Sequence, residues 1–119
     1  MNEANNICIG VGKTDITPPL GTELTGYGFY LNRKAKGIHL PLYSRAILLR
    51  GKNEEVLIFS NDLLDIDEQI IRRSRALIHS RLGISENKII FTSTHTHSGP
   101  ATSFLRGVAD ISKEYTSSL

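Results

Sequence analysis

The chain is poor in cysteine, in long apolar runs and in charge of one sign, and each shortage excludes something. Cys8 is the only cysteine among 119 residues, so no disulfide can form within the chain and a disulfide-stapled scaffold is ruled out. It stands in an apolar, strand-like stretch and is expected to be buried as a small hydrophobe. No apolar run approaches the ~20 residues that a membrane-crossing helix needs, so no transmembrane segment is expected. Met1 to Asn6 carry Glu3 and lack the basic-then-apolar order of a secretory leader, so the expectation is a cytoplasmic protein. Fourteen Lys and Arg against 12 Asp and Glu leave a formal charge of +2. The densest basic group, Arg72, Arg73 and Arg75, is offset by Asp65, Asp67 and Glu68, with no interleaved aromatic residue. That pattern reads as a solvated helix face and argues against a nucleic-acid partner.

What is present suits one small domain in length, with enough chain to bury roughly two-thirds of its unfolded surface. Ile7 to Val11 reads as a strand. Pro18-Pro19 then supplies no backbone donors, so Thr14 to Gly21 is expected to break regular structure. Residues 21–40 contain Gly21, Gly26, Gly28 and Gly37 and read as a long irregular loop, a type that is usually functional when ordered. Tyr27, Phe29 and Tyr30 argue that it is ordered. Tyr43 to Arg50 and Glu55 to Asn61 alternate like strands around the turn Gly51-Lys52-Asn53-Glu54, which predicts a β-hairpin.

A helix is predicted from about Asp67 to Leu82. Asp65 or Asp67 can cap its start, and Gly83 suits its end. Its stripe of Ile70, Ser74, Leu77, Ile78 and Leu82 is expected to pack on a core, with His79 beside it in a surface or packing role. Lys88 to Ser93 reads as a further strand. The order from Glu55 to Thr94 is therefore strand, helix, strand: a βαβ unit with parallel strands and a right-handed crossover. Ligands in such sheets bind beyond the carboxyl ends of the strands, where Ser60-Asn61-Asp62 and Thr94 to Ser98 fall.

The second of those clusters is the most informative, Thr94-His95-Thr96-His97-Ser98-Gly99-Pro100. If the strand continues through it, His95 and His97 point to the same side with Cα atoms ~6–7 Å apart, and both imidazoles can address one centre. Two such histidines make half of a zinc site, although imidazole equally suits copper, iron and nickel. The plainer reading is a pair of hydrogen-bonded polar residues closing a strand. Asp62 can orient a metal-bound imidazole through its second nitrogen or can join the cap of the following helix, and the residues leave both open. A phosphate site built on the Thr-Ser-Gly cluster is a weaker alternative. No P-loop, dinucleotide fingerprint or G-x-S-x-G elbow is present.

Five segments in order carry a resemblance. They are Gly10 to Pro18, Thr25-Gly26-Tyr27, Gly37 to Ala46, Asn61-Asp62-Leu63 and Thr94 to Pro100. Together they resemble the N-terminal part of neutral/alkaline non-lysosomal ceramidases, from about Ile9 to Tyr115. The resemblance implies a zinc-dependent amidohydrolase that cleaves the N-acyl bond of ceramide-like lipids to a sphingoid base and a fatty acid. It implies His95 as a zinc ligand and His97 as the catalytic partner of the reacting oxygens. Gly26 and Tyr27 would line the substrate pocket, and Asp62 and His39 would stand behind the metal site. His39 and Arg45 would fall in a strand near that pocket, with a buried hydrogen bond and a structural ion pair as their plainer roles.

The family's members are several times longer, and their remaining zinc ligands come from later sequence. Glu114 and Tyr115 match no ligand motif. The fold expected is thus α/β, a mixed sheet with a β-hairpin, a βαβ unit and a long glycine-rich loop. Residues 1–119 would form the incomplete N-terminal part of a larger catalytic domain. Its partners would be a small lipid amide and the missing C-terminal part of the same protein, and the 119 residues alone are expected to be inactive. Two other functions compete: a metal-dependent hydrolase of another amide or ester, and a non-catalytic remnant that needs a partner chain.

Overall fold

The computed structural model describes residues 6–105 and 109–119. Strands β1 (Cys8–Asp15), β2 (Tyr43–Arg50), β3 (Glu55–Asn61) and β4 (Ile89–Ser93) form one sheet in the order β1-β2-β3-β4. Helix α1 (Glu68–Leu82) connects β3 to β4, and the short helix α2 (Lys113–Ser118) follows the site loops. β1–β2 and β2–β3 are antiparallel, and β3–β4 is parallel. The sheet is therefore mixed, with the expected hairpin and βαβ unit.

Local chemistry explains each boundary. The hairpin closes where Gly51 N–H donates to Glu54 O at 2.7 Å, and Arg50 pairs with Glu55 in register and by a 2.7 Å ion pair. α1 starts at Asp67, whose side chain accepts from Gln69 N–H and caps one of the free donors. It ends at Gly83 with φ 71°, where the glycine N–H donates to His79 O. Parallel register sets Phe59 opposite Phe91, and their rings stack at 4.8 Å between centroids.

Three features differ from expectation. β1 runs on to Asp15, paired with Tyr43, because hydrogen bonding to β2 continues until Pro18-Pro19 removes the donors. Cys8 is exposed rather than buried: β1 is a sheet edge and all eight of its residues are exposed. The stripe of α1 is only partly a core face: Ile78 packs against a core cluster, but no residue of the helix is buried, and Leu77 and Leu82 are 47% and 63% exposed.

The buried core is two small clusters. Leu57, Ile84 and Ile89 pack under the sheet with Phe59, Phe91 and Ile78. Ile16, Leu63 and Tyr115 pack where α2 meets the end of β1. Tyr115 donates its hydroxyl to Ile16 O at 2.6 Å, and burial pushes its pKa well above the usual phenol range. An open apolar groove of about 940 Å³ lies among these elements, bounded by Phe59, Phe91, Leu63, Ile70, Leu77 and Ile78.

Candidate functional site

The chain beyond β4 is hung on the chain beyond β3. Thr94 N–H donates to Asn61 O at 2.9 Å and His95 N–H to Leu63 O at 3.0 Å. β4 itself ends at Ser93, and His95 takes a left-handed φ of 61°. Alternation along a strand therefore does not align His95 with His97. A turn does so instead. The rings lie 5.1 Å apart between centroids with 68° between their planes, close enough for both to face one centre. A non-glycine residue in that backbone region carries strain, and strain of this kind concentrates at functional sites.

His95 is oriented by a backbone group. Its Nδ1 lies 2.9 Å from Leu64 O. A carbonyl can only accept, so Nδ1 carries a proton, and in the neutral ring Nε2 is then the nitrogen with the lone pair. This is the arrangement that prepares an imidazole as a metal ligand.

Asp62 does other work. Its Oδ2 accepts from Tyr43 N–H at 2.9 Å and from Arg45 Nη1 at 2.8 Å. Burial raises its pKa, but the Tyr43 N–H, the Arg45 guanidinium and a bond with Thr94 outweigh that and hold it below its ordinary value. The carboxylate is thus ionised and ties β2 to the chain after β3. Leu64 O takes the place behind His95, and Asp67 takes the helix cap. Arg45 lies in β2 as expected, whereas His39 is exposed and lies outside any strand.

His97 is half-buried against the glycine-rich loop. Tyr27 meets its ring edge-on at 5.3 Å and 83°. Gly26 has φ 110°, and a Cβ there would stand 2.6 Å from His97 Cγ and 2.7 Å from its Cα. Only glycine permits that approach. Thr25 N–H donates to Gly99 O at 2.9 Å, and Leu24 bridges to Pro100, so the loop is docked against the histidine turn on both sides of the contact. Glu23 continues the anchoring by accepting from Asn32 N–H at 2.7 Å.

The structure thus brings together four of the expected residues, Gly26, Tyr27, His95 and His97. Two participants were not foreseen. Leu64 O is a backbone atom, and side-chain type carries no signal for it. Arg33 joins Thr25 and His97 across the loop, and no spacing rule links it to a residue so far along the chain. Among the described residues, no group of three or more His, Cys, Asp or Glu side chains is placed to hold a metal ion. Two adjacent imidazoles, one with its tautomer fixed, nevertheless suit a borderline-soft divalent cation, while a catalytic zinc ordinarily takes three protein ligands. The donor set fits part of a zinc site.

The chain thus carries a histidine turn at the carboxyl end of a mixed sheet, covered by a Gly-Tyr loop. The family model for neutral/alkaline non-lysosomal ceramidase, N-terminal, matches residues 7–116. The chain belongs to that family. Among its relatives are proteins named neutral ceramidase from Oryza sativa subsp. japonica, 31% identical over 82% of this chain and 13% of the relative, and from Mycobacterium tuberculosis, 32% identical over 79% and 16%. The crystal structure of neutral ceramidase from Pseudomonas aeruginosa superposes with a TM-score of 0.73 at 26% identity, covering 83% of this chain and 16% of that one. The chain therefore spans about one-seventh of the length of the relatives it matches.

Proposed function

We propose that this chain forms the amino-terminal part of a zinc-dependent amide hydrolase that cleaves the N-acyl bond of ceramide-like lipids to a sphingoid base and a fatty acid. The observation that carries the proposal is the pairing of His95, its Nδ1 proton committed to Leu64 O, with His97 at 5.1 Å. Family membership supports the substrate class. Zinc, when bound, supplies the Lewis acidity that polarises a carbonyl and acidifies water.

The chain's own residues do the rest. His95 offers Nε2 as one metal ligand. His97 accepts a proton from the attacking water and returns it to the leaving nitrogen, a task suited to imidazole near neutral pH. Gly26, by lacking a Cβ, lets the loop close on His97, and Tyr27 supplies an aromatic wall beside it. The remaining ligands come from outside the described residues.

A hydrolase acting on another amide or ester would use the same residues. The test is a substrate panel run on the intact zinc-loaded protein. Ceramide hydrolysed far faster than short N-acyl amides and simple esters supports the proposal, and the reverse order overturns its substrate class. The apolar groove favours a second reading, a module that acts only with a complementary chain. A monomeric intact protein with full activity would remove that reading.

A further inference from the structure

We infer that Arg33 is a positioning residue that sets the place of the His97 imidazole by pinning the Gly26–Tyr27 loop against it. The inference deepens the proposed hydrolase reading and rests on it for the identity of the chemistry that His97 performs.

The geometry is specific. Arg33 Nη2 donates to Thr25 O at 2.8 Å and to His97 O at 2.6 Å. Those two carbonyls stand on opposite sides of the contact between Gly26 and His97. The guanidinium carbon lies 4.7 Å from the centroid of the Tyr27 ring, whose edge faces His97. One side chain thus touches all three parts: the carbonyl before Gly26, the Tyr27 ring and the backbone of His97. A planar, permanently charged guanidinium can bond carbonyls and stack flat on a ring at once, a fork that the compact ammonium of lysine does not reproduce.

The arrangement is not one that stability alone would select. Arg33 Nε is buried and has no hydrogen-bond partner among the described residues. A buried donor without a partner costs free energy. Turning the guanidinium to satisfy Nε would give up its present geometry on Thr25 O, His97 O or Tyr27. Fixing the backbone of His97 matters because its ring meets the Tyr27 ring edge-on and lies beside the His95 ring, contacts that hold only while the loop stays in place. Proton transfer is sensitive to such placement, and a misplacement of about 1 Å can cost on the order of 100-fold in rate.

The experiment compares wild type with Arg33→Met and Arg33→Lys in the intact protein carrying isotope-labelled histidine and tyrosine rings. Three quantities are read: cross-peaks between the Tyr27 and His97 rings, kcat and KM for N-acyl lipid hydrolysis, and the melting midpoint. Arg33→Met keeps the apolar stem and removes both bonds. It is expected to lose the Tyr27–His97 cross-peaks and to lower kcat by about 10-fold to 100-fold with KM little changed, and to lower the melting midpoint because two carbonyls lose their donor. Arg33→Lys is expected to restore part of both signals, since an ammonium can hold one carbonyl. Cross-peaks kept in Arg33→Met, or lost with kcat unchanged, overturn the inference. If Arg33→Met does not fold, the same readings on Arg33→Lys decide, and wild-type values there overturn it. If wild type hydrolyses no N-acyl lipid while Arg33→Met loses the cross-peaks, the hydrolase reading fails and the positioning of His97 by Arg33 stands.

Discussion

The carboxyl end of the sheet and its apolar groove are held in opposite ways. At the end of the sheet, Thr94 and His95 hang on Asn61 and Leu63, Gly99 holds Thr25, and Leu64 fixes the ring of His95. Most of those bonds are to backbone atoms, and few depend on how deeply a side chain is buried. Across the groove the reverse holds. Phe59, Phe91, Leu77 and Ile78 present apolar surface around about 940 Å³ of open space, and no residue of α1 is buried. The histidine turn draws its geometry from directional bonds, whereas the helix has packing surface without a full set of neighbours. A site so built keeps its shape through local pinning, and the stability beneath it rests on two small clusters.

Breaking the pinned region has the largest expected effect. His97→Gln keeps a polar side chain of similar reach but cannot carry a proton near neutral pH, so kcat of the intact protein should fall ~10²–10⁴-fold with the melting midpoint unchanged. Gly26→Ala follows. The new Cβ would meet His97 Cγ at 2.6 Å in a backbone conformation of φ 110°. Strain of about 1–3 kcal/mol is expected from the backbone alone, visible as a lower melting midpoint together with lost activity.

The core side of the comparison is sharpened by Tyr115→Phe. It removes the hydroxyl that donates to Ile16 O at 2.6 Å and strands a buried carbonyl, for a loss of about 1–3 kcal/mol in denaturant unfolding. No change in the ring geometry of His95 and His97 should accompany it.

The smallest effect is the pH dependence of Asp62. Its folded pKa lies below its ordinary value of 3.8, so its bonds to Tyr43 and Arg45 contribute fully above that pH and are lost as pH falls through the folded value. An acid titration should show an unfolding midpoint that moves toward neutral pH in Asp62→Asn. Equal acid stability of the two proteins would remove Asp62 from the set of pins.

Much of this division was legible in the residues. Alternation in Tyr43–Arg50 and Glu55–Asn61 around a Gly-Lys-Asn-Glu turn defines the hairpin, and Asp67 and Gly83 mark the ends of α1 through capping chemistry that acts within a few residues. The pairing of His95 with His97 was legible too, though through a turn at His95 rather than strand alternation. What local pattern could not show depends on distant chain. Cys8 looks like a core residue until its strand is found at the sheet edge. The stripe of α1 looks like a buried face because periodicity reports amphipathicity and not the presence of a partner surface. Leu64 O and Arg33 act through backbone carbonyls, which every residue possesses, so no residue type announces them.

The most direct test of the central claim is the zinc content of the intact protein, measured by elemental analysis for wild type and His95→Ala after equal purification. The account predicts stoichiometric zinc and N-acyl hydrolysis in wild type, with both lost in His95→Ala while the fold is kept. Wild type without stoichiometric zinc, together with His95→Ala that hydrolyses its substrate at the wild-type rate, would contradict it.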